Sequence, residues 1–164
     1  MTPLLVKTDA DRLEVTFERE LPASAADVWR SWTRAEELEA WWGPIGWTTT
    51  VRALDVRPGG LWHFGMGPAG EAREVWIRSI YTEVITGTAL SYLEGFSDDQ
   101  ATDLDPEPNN VTVEFIELDP GITRLVMRVR FASAERLEAI IARGLLGGWE
   151  SAFDRLEQHV EVGA

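Results

Sequence analysis

The chain has 164 residues, 45% of them hydrophobic and 26% charged, with a formal net charge of -13 and no cysteine. That length fits one domain able to bury about 70% of its unfolded surface, and no apolar run approaches the ~18 residues of a membrane span. The acidic balance argues against nucleic acid or an anionic membrane as partner, since both attract basic patches. The missing cysteines exclude disulfides, thiol nucleophiles and cysteine metal sites.

The opening MTPLLVK has no basic segment before its short apolar run, so it does not read as a secretory signal. A cytoplasmic protein is expected, with residues 1–11 as an N-terminal tail. From Leu13 to Glu20 apolar Leu13, Val15 and Phe17 alternate with polar Glu14, Thr16 and Glu18, the period of a half-buried strand. Ser24 then caps a helix with Asp27 in its first turn, and Ala25, Val28, Trp29 and Trp32 form its apolar stripe. Thr33 and Glu36 have the spacing of a capping box for a second short helix, with Ala35, Leu38 and Trp42 on one face, stopped at Gly43-Pro44. Its end, AWWGPIGW (Ala40 to Trp47), holds three tryptophans. They wall a pocket or clamp a corner.

Strands follow in WTTTVRALDV, LWHFGM, Glu74 to Ile85 and TALSYLE. Arg57-Pro58-Gly59-Gly60 suits a type II turn, and Thr86-Gly87 another. Ser97 to Asn110 carries five acids, two prolines and no base, and reads as a mobile acidic loop. The strands VTVEFIEL and ITRLVMRVRF flank Asp119-Pro120-Gly121. Ser133 caps one long helix from about Ala134 to Val160, with Leu137, Ile141, Leu145, Trp149, Ala152, Phe153, Leu156 and Val160 as its stripe. Gly144, Gly147 and Gly148 inside it cost roughly 0.8–1 kcal/mol each relative to alanine. They let a strand approach closely or leave room for a ligand. The sum is an α+β domain of about seven strands, β-α-α-β-β-β-β-β-β-α, whose curved antiparallel sheet wraps the last helix.

ADVWRSWT, LEAWWGPIGWTTT, DVRPGGLWHFGM, VTVEFIELDPGITRL and GGWESAFDRLEQHV occur in that order. Through them the chain from Leu13 onward resembles the START-like helix-grip (SRPBCC) superfamily and, within it, homologues of the activator of heat shock protein ATPase. The resemblance implies a single helix-grip domain with a cavity between the concave sheet and the long helix. In relatives that cavity holds apolar small molecules and only sometimes transforms them. The family supplies no universal catalytic set. In this chain Ile85-Thr86-Gly87-Thr88 replaces the family's proline-rich turn, and the acidic insertion is long.

Strand parity puts Trp62, Phe64 and Met66 on one side, with Tyr92, Phe115 and Met127 as further lining. Trp149 and Phe153 approach from the helix, and Trp41, about 100° from Trp42 on a helix, reaches toward the rim. The same residues would equally fill a solid core. Tyr92 or Arg78 would orient a ligand. His63 has the parity opposite Trp62, and His159 sits near a helix end. There is no G-x-S-x-G, no phosphate loop and a single lysine, Lys7. Asp103, Asp105 and Glu107 lack the spacing of a calcium loop.

The leading reading is therefore a binder of an apolar or aromatic small molecule, without metal or cofactor. A cyclase, dehydratase or hydrolase using His63, Glu83, Glu94 or Tyr81 is one alternative. A chaperone-regulator module is another, and a homodimer is left open.

Overall fold

The computed structural model describes residues 3–163, apart from the side chains of Leu145, Val162 and Gly163. Its elements are β1 (Leu5–Asp9), β2 (Glu14–Leu21), α1 (Ala25–Thr33), α2 (Ala35–Trp41), β3 (Trp47–Leu54), β4 (Leu61–Pro68), β5 (Val75–Ile85), β6 (Ala89–Phe96), β7 (Asn109–Asp119), β8 (Ile122–Arg130), α3 (Ala134–Ala142) and α4 (Leu145–Gly163). All the strands form one antiparallel sheet in the order β1-β2-β8-β7-β6-β5-β4-β3. This is the α+β helix-grip architecture, with eight strands rather than about seven. The extra one is β1, whose Leu5 to Asp9 pair with Glu18 to Glu14 where the sequence reads as a tail. It escapes sequence reading because it is an edge strand with almost no buried side chain and hence no apolar alternation.

The helix starts divide by mechanism. Ser24 Oγ accepts from the Asp27 amide at 3.1 Å and Ser133 Oγ from the Arg136 amide at 3.2 Å, as N-caps do. The capping box expected at Thr33 is not made. Arg34 holds the N-cap position of α2, and the Thr33 hydroxyl donates back to the Trp29 carbonyl at 2.8 Å. Because only one residue separates α1 from α2, Thr33 is still the last residue of the first helix.

The single long C-terminal helix is two helices. Gly144 takes φ +70°, a left-handed conformation that glycine reaches without a Cβ penalty and that ends a helix. The apolar stripe changes phase there. Leu137, Ala152, Phe153, Leu156 and Val160 are buried, whereas Ile141 is exposed. The turn glycines Gly59 and Gly87 have φ +83° and +77°, and Gly60 N–H donates to the Arg57 carbonyl at 2.8 Å. Among the described residues no helix is long and apolar enough to cross a membrane.

Candidate functional site

Alternation along β4 works as expected: Trp62 and Phe64 point into the concave side and are buried, and Met66 follows them half-buried. All nine expected lining residues lie in or against one hydrophobic core, namely Trp41, Trp62, Phe64, Met66, Tyr92, Phe115, Met127, Trp149 and Phe153. Their neighbours are other members of that core. Trp42 is the hub, with ring centroids 5.1 Å from Trp41, 4.9 Å from Trp62, 5.7 Å from Phe64 and 5.3 Å from Trp149. Phe153 stacks on Phe17 at 6.1 Å, and Phe115 meets Trp29 edge-on at 5.2 Å. Met127 lies opposite Phe17 and Val113 in the sheet.

Trp41 does not stand at a rim. It is fully buried, and its indole N–H donates to the Ser31 carbonyl at 2.9 Å. The expected 100° divergence from Trp42 fails because the helix ends at Trp41, and Trp42 has extended backbone with ψ 138°. Both rings can then turn inward.

The corner itself is held from α4. Arg155 Nη1 donates to the carbonyls of Gly43 at 2.9 Å, Pro44 at 3.2 Å and Trp42 at 3.3 Å, and Nη2 to Ala40 at 3.2 Å. Ser151 Oγ accepts from the Ile45 amide at 2.7 Å. The Ala40 and Trp42 carbonyls at the end of α2, and those of the turn after it, thereby find a cation. The sequence shows Arg155 only as one charge beside an apolar stripe.

Polar residues gather at one end of the concave face. In the sheet register Trp62 (β4) pairs with Ser79 (β5), Ser79 with Glu94 (β6), and Glu94 with Asn109 (β7), a single row across four strands. Tyr81 and Tyr92 are paired in the next row. Trp62, Tyr81 and Tyr92 form a triangle of rings with centroids 5.4, 5.9 and 6.4 Å apart. Trp62, Ser79, Tyr81 and Tyr92 are each at most 1% exposed, yet Trp62 Nε1, Ser79 Oγ and both tyrosine hydroxyls have no hydrogen-bond partner in the protein. Asn109 Oδ1 is also unpartnered, while Asn109 Nδ2 donates to Glu94 Oε1 at 3.4 Å. Burial pushes the Glu94 carboxyl up to about 7, against the smaller opposing effect of the Asn109 hydrogen bond. Burial likewise raises both tyrosines, so they stay protonated donors at neutral pH.

Among the described residues two further unpartnered atoms lie outside this row. Trp32 Nε1 belongs to the α1 side of the tryptophan cluster, and Arg19 Nε to a residue whose Nη1 is paired with Asp154 at 2.7 Å.

The remaining sequence candidates point elsewhere. Arg78 and His63 are paired on the outer face of the sheet, so Arg78 does not orient anything in the interior. His63 is buried beneath the acidic loop, with Nε2 2.8 Å from the Asp98 carbonyl and the ring 5.2 Å from Trp76. A bulge between Tyr81 and Glu83 reverses the alternation, so that Glu83 pairs with Ser91 and is exposed. His159 Nε2 lies 3.1 Å from Glu37.

The acidic loop is tied down at both ends. Asp98 accepts from the amides of Gln100 and Thr102 and from the Thr102 hydroxyl, which holds its carboxyl at about 2. Arg136 of α3 pairs with Asp105 at 2.8 Å and Glu107 at 3.3 Å.

The helix glycines fit neither expected use. A Cβ at Gly147 would meet nothing within 4 Å on an exposed surface, and one at Gly148 only Pro44 Cβ at 4.0 Å. Two surface recesses, of about 260 and 230 Å³, lie beside Asp27, Arg30, Glu37 and His159, and between the acidic loop and Arg78, Ile80 and Leu93. Neither is lined by the interior row. Among the described residues no cluster of three or more His, Asp or Glu side chains is arranged to hold a metal ion.

The family described as Activator of Hsp90 ATPase homolog 1-like protein matches residues 22–161. Protein Ms6760 from Mycobacterium smegmatis is 31% identical over 95% of this chain and 96% of its own, with a TM-score of 0.84. A protein from Arthrobacter aurescens, 23% identical over 96% and 91%, has a TM-score of 0.87. Protein NE0264 from Nitrosomonas europaea is 22% identical over 95% and 98%, with a TM-score of 0.81. These last two share the fold. No curated protein matches the chain.

Proposed function

The chain belongs to the Activator of Hsp90 ATPase homolog 1-like family, and from that premise we propose that it is a single-domain cytoplasmic protein that binds an apolar or aromatic small molecule between the sheet and α4. The observation that carries this reading is the set of unpartnered polar atoms on Trp62, Ser79, Tyr81 and Tyr92, buried in an otherwise apolar interior. Leaving a buried donor unmade costs about 1–3 kcal/mol each, and a ligand carrying hydrogen-bonding groups would offset that cost. The surrounding rings match the usual composition of a ligand site, mostly apolar with a few fixed polar groups.

Access is proposed at α3, because only Leu137 of that helix is buried and Gly144 provides a hinge to α4. The polar row lies at the same end of the sheet. Asn109 is two residues from Glu107, which Arg136 of α3 holds. A second reading, catalysis in the same interior, is favoured by Glu94 alone among the acid–base candidates, because its carboxyl titrates near neutrality on the inner face.

Thermal unfolding against a panel of apolar and aromatic metabolites tests the binding reading. A ligand at ~100 times its Kd stabilises by about 2.7 kcal/mol, which moves the midpoint roughly 5–11 °C for a domain of this size. The shift should vanish in a Tyr81→Phe/Tyr92→Phe variant for ligands held by those hydroxyls. A flat response across a broad panel would overturn the reading and turn attention to protein partners.

A further inference from the structure

We infer that the interior row is a proton-transfer site for a neutral carbonyl compound. In this assignment Glu94 takes and returns a proton on the carbon beside the carbonyl, while the hydroxyls of Tyr81 and Tyr92 and Trp62 Nε1 hold the oxygen on which charge develops. The inference rests on the reading that a small molecule enters between sheet and α4.

The chemistry follows from the inventory of unpartnered groups. Trp62 Nε1 can only donate, and the Tyr81, Tyr92 and Ser79 hydroxyls each have a proton to give. Their complement is an oxygen acceptor. A carboxylate is the wrong one, since it would lie beside Glu94, and the inward-facing Arg19 is already paired with Asp154. A neutral ketone oxygen takes the donors without that repulsion, and the Trp62–Tyr81–Tyr92 ring triangle supplies faces and edges for an aromatic skeleton.

A group of donors around a carbonyl oxygen is half of an enolising site, and the other half is a base. Glu94 occupies that position: it neighbours Ser79 across the sheet and lies two residues from Tyr92 on the same face of β6. Asn109 Nδ2 holds Oε1, and the other carboxylate oxygen, Oε2, is assigned the proton transfer. Burial brings the carboxyl close to neutrality, where both its forms are populated.

The step balances without a cofactor. The C–H bond next to the carbonyl breaks and its proton passes to Glu94 Oε2. The electron pair forms the carbon–carbon double bond of an enolate, and the carbonyl π pair moves to the oxygen held by Tyr81, Tyr92 and Trp62. The Glu94 acid then returns the proton to the same carbon, which exchanges hydrogen. In a conjugated substrate it returns the proton to a more distant carbon, which shifts the double bond. Donors positioned where the oxygen becomes charged stabilise the transition state more than the ground state.

The test uses the full chain and 2-tetralone, a neutral aromatic ketone with exchangeable hydrogens beside its carbonyl. Loss of those proton signals in D2O is followed by NMR, and binding by quenching of tryptophan fluorescence. The expected result is exchange accelerated about 10²–10⁴-fold over protein-free buffer. Glu94→Gln should lose at least a hundredfold of it while still binding, and Tyr81→Phe/Tyr92→Phe should slow it about 10–100-fold. Both changes are near-isosteric, and far-UV circular dichroism checks that each variant is folded. Binding with no acceleration would overturn the proton transfer and leave the binding reading standing. Acceleration that survives Glu94→Gln would overturn the assignment to Glu94. Absence of 2-tetralone binding would overturn this inference, and would also overturn the binding reading if the metabolite panel is flat.

Discussion

The guanidinium of Arg155 donates to the carbonyl of Gly43 at 2.9 Å, and with its further bonds to Trp42, Pro44 and Ala40 it fastens the tryptophan corner to the last helix. Burial holds this guanidinium below its usual range without unseating it. Hydrogen bonds to a charged group contribute about 1.5–3 kcal/mol. Arg155→Ala should therefore destabilise by about 2–3 kcal/mol, lowering the midpoint roughly 4–12 °C. Arg155→Lys, with a point charge in place of a fork, should fall between wild type and alanine in urea denaturation.

Trp42 touches Trp32, Trp41, Trp62, Phe64 and Trp149. Removing its ring opens a cavity at the centre of that cluster. Trp42→Ala should cost about 3–5 kcal/mol and collapse the near-ultraviolet circular dichroism. Ile45→Ala, at an exposed neighbour in the same corner, should stay within about 0.5 kcal/mol of wild type.

Glu94 makes stability depend on pH in an unusual direction for a carboxylate. Folded, it keeps its proton up to about pH 7, whereas unfolded it releases it near 4.5. Between those values the folded state binds more protons, so its contribution to stability falls as pH rises through the window. Glu94→Gln removes that loss. The variant should match wild type at pH 4 and exceed it at pH 8 by roughly 2–4 kcal/mol, read from urea midpoints. A constant offset across the range would contradict the assignment.

Gly144 and Gly147 are three residues apart and should respond oppositely to alanine. At Gly144, with φ +70°, a Cβ is strained by its own backbone, and Gly144→Ala should cost about 1–2 kcal/mol. At Gly147, inside α4 with open space around an added Cβ, Gly147→Ala should stabilise by about 0.5–1 kcal/mol. Thermal midpoints of the two variants check the pair.

Most of the local structure is legible along the chain. Alternation in Leu13 to Glu20, LWHFGM and ITRLVMRVRF marked strands and their inward faces, while Ser24 and Ser133 marked helix starts. These signals sit within a few residues, where backbone geometry ties side-chain direction to position. β1 was invisible because an exposed edge strand buries too little to leave a pattern, and Glu83 was misdirected by a bulge that only strand pairing reveals. Gly144 was legible as a weak point but not as a break. The family resemblance announced the grip of sheet on helix, and it was silent on the row.

Only the tertiary structure aligned Trp62, Ser79, Glu94 and Asn109, residues from four strands that share nothing along the chain. Only there did Arg155 meet carbonyls more than a hundred residues away. Register and packing are set by contacts between distant segments, and the chemistry of a buried group depends on which neighbours those contacts leave to satisfy it.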